Sequence, residues 1–537
     1  KHAQHAVISQ GQAVHRLTVL PNVIQFSLRC VSTQPRTASS AKNESTIAAT
    51  TAIQRAALDV FSAMIFARMR EMDRLKTTAQ LLGLFSFCLG LHLCGTWAFP
   101  LMDRDEPRFA EAAREMRESG DWVVPTFNGK PRYDKPPLTY WLQIGALKIF
   151  GENEFAARFH APLCAALTAL VVFGFCESLY GRAAAWHAAI AFTVCLQLLV
   201  SGKAAIADMP MLLCVTLAAW AGWELLKRPG GFWRTIFFAA LAVGFLAKGP
   251  VAWLPLIWIF VYAKWAGVTG FAGRFRFLRG TVPMLGIVAL WAVPACWKTH
   301  GEFFTVGLGR HVIARSFAPL EGHGGRGWAL YLALFPFYSV TVFASFFPWA
   351  IWLPATVRRL RQKRAQADVY LLGGVLTTFV VFSIVATKLP HYTLPAFPLL
   401  ACLVAPHLAQ SRTAFYIATV GMVVLNLGLS FCAPSFLGPS VAQAALATLP
   451  ANLPQTTRFA SVEFDEPSLV WYFRSRFKTA HELIAPDAFN DFIRGPGARV
   501  CLVPDEIAAS LPDAARVSGW NLAKGRRVAL RVLRKDD

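Results

Sequence analysis

A chain of 537 residues with 55% apolar and only 16% charged side chains is not built like a soluble enzyme of that size. The composition points to a polytopic membrane protein, whose net charge of +22 collects in short loops between apolar segments. Membrane topology explains that charge, and nucleic-acid binding does not. The eleven cysteines fall mostly inside apolar runs without paired metal-ligand spacing, so they read as small hydrophobic side chains and not as a disulfide set.

Residues 1–63 are rich in Gln, Ser and Thr and carry no sustained hydrophobic period. They read as a leader or expression-derived segment, disordered in either case. A transmembrane domain is expected over 64–433. Its apolar segments lie near 79–99, 155–180, 183–200, 209–226, 234–247, 250–267, 281–297, 328–354, 369–387, 394–409 and 413–432. Some are broken by proline, so the expected fold is all-α with about 11–13 transmembrane helices. The shorter run at 136–150 reads as a helix in the membrane interface and not as a span.

The stretch from Leu101 to Lys135 follows the first apolar segment directly, yet gathers Asp103, Arg104, Asp105, Glu106, Arg108, Asp134 and Lys135. Mixed charges beside a spanning helix mark a functional site by default. Pro107 suits the first turn of a helix that Asp105 or Glu106 would cap. Phe109, Ala112, Ala113 and Met116 then form one apolar stripe, with Glu111, Arg114, Glu115 and Arg117 opposite. This pattern predicts a helix lying in the interface with its charged face in water.

Basic clusters fix the orientation. Arg68, Arg70, Arg74 and Lys76, then Arg182, Lys227, Arg228 and Arg234, then Arg274, Arg276 and Arg279, then the run 358–364, all fall on one side when the spans are counted. With that side cytoplasmic, loops 100–154 and 298–327 and the tail 434–537 face outward. The tail alternates strand-like runs (458–464, 498–504, 526–533) with short helical ones, which predicts a small α/β domain outside the membrane.

The candidate chemistry therefore lies on the outer side. Asp105, Glu106 and Asp208 are acids at span ends, able to act as general base or to hold a cationic or hydroxylated sugar; helix capping is the bland reading for each. Arg108 and Lys135, with Arg315 from the long outer loop, are a natural grip for a lipid phosphate, although Lys135 could simply snorkel. Tyr133, Arg310, Lys388 and Tyr392 are weaker candidates for the wall of a substrate cavity, and Lys248 and His391 have similar standing. No motif requires a cofactor. Asp134 and His311 are a tentative pair for zinc or another divalent metal, but two ligands far apart in sequence make a weak signal.

The order MDRDEPRFAEAAREM, YDKPPLTYW, ADMPML, AKGP and KLPHYTLPAFP resembles the GT-C membrane glycosyltransferases of the protein O-mannosyltransferase superfamily. It is most similar to the bacterial branch that moves 4-amino-4-deoxy-L-arabinose from undecaprenyl phosphate to lipid A. The resemblance covers roughly residues 70–430. It implies an inverting transfer on the periplasmic face of the bacterial inner membrane, with an undecaprenyl-phosphate-linked sugar as donor and lipid A as acceptor; the charge pattern separately argues against a nucleic-acid partner, and a monomer is expected. Residue by residue, it places the acid of the DE pair at Asp105, the later loop acid at Asp208 and the motif lysine at Lys135. The usual Glu before that lysine is Asp134 here, one methylene shorter. Two alternatives stand beside this reading: a transferase delivering a polyprenyl-linked sugar to protein or another glycan, and a lipid transporter. The outer placement of the charges and the absence of an internal repeat argue against transport.

Overall fold

The computed structural model describes residues 76–307, 309, 333–505, 507, 514–521 and 525–536. The chain from Gln80 to Asp537 forms one compact unit. Among the described residues, seven helices are long and apolar enough to cross a membrane: Glu154–Tyr180, Asp208–Lys227, Gly231–Trp265, Phe277–Lys298, Gln366–Ile384, Pro390–Gln410 and Arg412–Leu437. A bent pair, Phe337–Ser345 with Trp349–Gln362, makes an eighth if counted as one span.

This number, taken over the described residues alone, is smaller than the 11–13 spans expected from hydropathy, and several segments account for the difference. The segments 234–247 and 250–267 join into the single helical run Gly231–Trp265. The segment 183–200 is divided between the helices Arg182–Val194 and Leu196–Ser201. Part of 328–354 lies outside the described residues. The run at 136–150 forms the helix Leu138–Phe150, whose 13 residues rise about 20 Å and cannot cross a bilayer.

Burial sorts the spans into centre and rim. The helix Asp208–Lys227 has 83% of its apolar window covered by protein, against 28% for Phe277–Lys298 and 22% for Arg412–Leu437. The outer pair turns Leu278, Leu290, Trp297, Ile417 and Phe436 outward, as helices facing lipid tails must. The central helix carries Ala218, Ala219, Ala221 and Gly222, small residues that let neighbouring backbones approach closely. Gly244 serves the same purpose on the next helix: a Cβ there would stand 2.9 Å from that of Cys214 and 2.8 Å from that of Ala252.

The tail is an α/β domain, as its alternating pattern predicts. Its sheet has five strands in the order His481–Ile484, Arg458–Val462, Arg499–Pro504, Arg526–Lys535, Ala515–Asn521. The first three run parallel and the last two pair antiparallel, so the sheet is mixed. The strands His481–Ile484 and Ala515–Asn521 are not evident in the sequence, where both are short and part-polar.

The helix Asp105–Ser119 corrects one expectation. Its apolar stripe is buried, but so are Glu111, Arg114 and Glu115 on the opposite face. That face does not meet water, because the tail domain covers it. Arg474 reaches Glu111, Glu115 and Glu118 together. Arg114 pairs with Glu111 and donates to the Trp471 carbonyl at 2.9 Å. Ser468 donates from its backbone N–H and its hydroxyl to Asp103, and the Leu101 N–H donates to the Tyr472 hydroxyl. Asp105 and Glu106 also make no side-chain cap; both lie inside the first turn.

Candidate active site

The helix pair Asp208–Lys227 and Gly231–Lys248 forms an antiparallel hairpin joined through Arg228, Pro229 and Gly230. The first residue of one helix therefore returns beside the last residue of the other. Asp208 begins the first and Lys248 ends the second, and Lys248 Nζ donates to Asp208 Oδ1 at 2.5 Å. Each charge also suits its helix end, the acid at the N-terminus and the base at the C-terminus. Gly249, at φ +72°, then turns the chain away in a conformation that L side chains rarely adopt. Both side chains are shielded, Asp208 with 4% exposure and Lys248 with 14%.

This ion pair forms part of the wall of a cavity of about 380 Å³. Tyr133, Asp134 and Lys135 enter from the loop before the helix Leu138–Phe150, and His391 and Tyr392 from the turn Pro390–Ala396. Lys135 and His391 stand near enough for their charges to act on Asp208. The Lys248 ammonium lies 5.9 Å from the Tyr392 ring centre. Most of the remaining wall is apolar, including Phe245, Val288, Trp291, Phe303 and Phe382. A largely apolar chamber with a few charged groups in its wall suits an amphiphile whose polar head must be held and whose chain must stay in lipid.

A second, smaller cavity of about 290 Å³ adjoins the first. Tyr133 and Asp134 line both, and Arg108, Lys130 and Arg132 line only the smaller one. The sequence grouped Arg108 with Lys135 in one phosphate grip; here the two line adjoining cavities. Tyr133 donates its hydroxyl to Glu302 at 2.8 Å, and burial together with that carboxylate pushes the hydroxyl up to about 12.

The two acids of the pair lie in different surroundings. Glu106 is buried, and its oxygens accept from Arg158, from the Ala205 N–H at 2.7 Å and from the Met102 N–H at 2.8 Å. Burial works against its charge, but Arg158 and these N–H groups hold the carboxyl below the ordinary carboxylate range. Glu106 lines neither cavity and ties the loop at 205 to the helix start. Asp105 is exposed in the same turn and also lines neither cavity. Its charge nevertheless reaches the buried Tyr140 hydroxyl, as do those of Arg132 and Asp134, so it stands near the loop that bears Lys135.

Lys388 is not a wall residue of either cavity. Its ammonium donates to the carbonyls of Phe382, Ser383 and Val385 and so closes the end of the helix Gln366–Ile384. Arg310, His311 and Arg315 lie outside the described residues. For the tentative metal pair this leaves Asp134, whose carboxylate faces Arg132 at 3.2 Å. Among the described residues no three His, Cys, Asp or Glu side chains gather as a metal site would require.

Several site residues escaped the sequence reading. Lys130 and Arg132 look like ordinary loop charges, and Trp291 and Phe245 are indistinguishable from lipid-facing aromatics. Lys248 of the AKGP run, a weaker candidate in the sequence, does line the larger cavity.

Residues 134–293 match the family model described as dolichyl-phosphate-mannose-protein mannosyltransferase. The chain is 31% identical over 381 residues to an undecaprenyl phosphate-alpha-4-amino-4-deoxy-L-arabinose arabinosyl transferase of Pseudomonas aeruginosa, covering 67% of this chain and 65% of that protein. It is also 31% identical over 323 residues to such a transferase of Sodalis glossinidius, covering 58% of this chain and 56% of the relative. The chain thus spans little more than half the length of some curated relatives it matches. The crystal structure of ArnT from Cupriavidus metallidurans bound to undecaprenyl phosphate superposes with a TM-score of 0.69 at 19% identity, over 84% of this chain and 98% of that one.

Proposed function

From its similarity to the aminoarabinose transferases and its shared fold, we propose that this chain is a GT-C membrane glycosyltransferase that moves 4-amino-4-deoxy-L-arabinose from undecaprenyl phosphate to a lipid A phosphate. The observation that carries the proposal is the cavity itself, where Asp208, paired to Lys248, shares a largely apolar chamber with Lys135, Asp134 and His391. A polyprenyl chain fits the apolar wall, and Lys135 stabilises the charge that grows on the departing phosphate. Arg108 and Arg315, the other two cations of the expected grip, would strengthen that hold.

In the reaction the bond between the anomeric carbon and the donor phosphate oxygen breaks. An oxygen of the acceptor phosphate forms the new bond from the opposite face, and undecaprenyl phosphate leaves with the electron pair. The acceptor is already ionised near neutral pH, so no strong base is needed. Asp208, held by Lys248, is suited to orient the sugar and its cationic amine. Asp105 contributes negative charge at the edge of the same region. The expected setting is the bacterial inner membrane, multi-pass, with the N-terminus cytoplasmic and the cavity and tail domain periplasmic. The positions of the basic loops support that orientation.

The test is reconstitution of the purified protein with undecaprenyl-phosphate aminoarabinose and lipid A. Appearance of a pentosamine on lipid A phosphate is expected. Transfer to a protein or another glycan in its place would favour the O-mannosyltransferase-like reading.

A further inference from the structure

The edge strand Ala515–Asn521 ties the tail sheet to the end of the last membrane span. That span, Arg412–Leu437, has 26 residues and rises about 39 Å against a hydrocarbon core of about 30 Å, so its final turn stands among lipid headgroups. Three residues later Ser440 pairs in parallel with Trp520. The join is close, since a Cβ on Gly519 would lie 2.7 Å from the Val441 nitrogen. Opposite Trp520 and Asn521 in the neighbouring strand are Arg527 and Arg526. This end of the hairpin is therefore held at the bilayer surface. Exposed Phe436, and exposed Trp97 packed against Phe431, mark the same level with an aromatic belt.

The charge of the hairpin is one-sided. Between residues 515 and 535 the sequence holds seven Lys and Arg and no Asp or Glu. Away from the span the cations are occupied: Arg516 and Arg531 pair with Asp505, Arg534 pairs with Asp536, and Lys535 donates to the Gly495 carbonyl. Beside the span, Arg526 and Arg527 are exposed and meet no carboxylate among the described residues. The Arg527 guanidinium lies 5.9 Å from the half-buried Trp520 ring centre, a pairing of ring and cation suited to the boundary between lipid and water. We infer that this end of the hairpin docks the tail domain on the bilayer, with Arg526 and Arg527 holding the phosphates of anionic phospholipids and Trp520 lying at headgroup level. The opposite edge of the sheet, His481–Ile484, carries no Lys or Arg and makes no such contact.

The experiment is hydrogen–deuterium exchange of the full chain in nanodiscs, one set of phosphatidylcholine alone and one with phosphatidylglycerol added. Exchange across residues 515–535 should slow at least about fivefold in the anionic discs, the factor that one arginine near an anionic surface supplies. About 0.5 M salt should remove the slowing, because the screening length then falls below about 5 Å. The double variant Arg526→Gln with Arg527→Gln should also remove it. The strand His481–Ile484 should exchange alike in both sets and in the variant, which verifies the fold of the domain. Equal exchange of 515–535 in the two sets would overturn the inference, as would slowing that survives in the double variant. Slowing that appears only when lipid A is added to neutral discs would assign the patch to the acceptor lipid and overturn it as well.

Discussion

Asp208 and Lys248 are forty residues apart in sequence and 2.5 Å apart in space, joined because one begins a helix and the other ends its antiparallel neighbour. Removing one partner from a shielded ion pair leaves an uncompensated charge. Lys248→Met should therefore destabilise the protein by about 3 kcal/mol, toward the low end for such a loss because Lys135 and His391 still act on the carboxylate. The double change Asp208→Asn with Lys248→Met should recover the melting temperature but not transfer. A double variant no more stable than the single one would show that the pair contributes little to folding.

The close packing at Gly244 holds that pair in register. Gly244→Val would drive a side chain into the Cβ atoms of Cys214 and Ala252 and force the two helices apart. A cost of about 1–3 kcal/mol is expected, as for other overpacked sites. Transfer should fall further than stability does, because the helix ends carry the charges. Thermal unfolding and turnover measured on one preparation will separate the two effects.

The two acids of the first turn should behave differently. Asp105→Asn removes an exposed charge and should cost no more than about 1 kcal/mol of helix-end electrostatics, yet impair transfer. Glu106→Gln strips the buried partner from Arg158 and should cost about 3–5 kcal/mol. Melting temperatures of the two variants check this directly; equal losses would refute the division of roles.

The tail domain is linked to the same helix through Asp103, whose carboxyl burial pushes up to about 6 from an ordinary 3.8. An acid with a raised folded-state pKa binds more protons folded than unfolded between those values. Its stabilising contribution is thus greatest below pH 3.8 and is lost as pH rises through about 6. Against an Asp103→Asn control, the intact protein should lose stability between pH 4 and pH 6. A pH-independent difference between the two would contradict this linkage.

Much of this architecture was legible in the chain because lipid imposes simple rules. Long apolar runs gave the central spans, and the alternating tail gave the α/β domain. The same counting put Asp208 and Lys248 on one side of the bilayer, though it could not bring them into contact. The charged face of the helix Asp105–Ser119 was misread as solvated because its partner, Arg474, lies in a domain more than 350 residues later. A local pattern cannot distinguish a charge facing water from one facing an opposite charge. Arg132 was missed for a related reason, since burial of a loop arginine depends on tertiary packing. The acidic pair looked like one unit in sequence, and only the position of Arg158 separates a structural Glu106 from an exposed Asp105.

The most direct measurement is mass spectrometry of lipid A from cells that lack their own aminoarabinose transferase and express either this chain or its Asp208→Asn variant at equal levels. Pentosamine-bearing lipid A phosphate is predicted with the intact chain and none with the variant. Unmodified lipid A with the intact chain, or equal modification by the variant, would contradict the account.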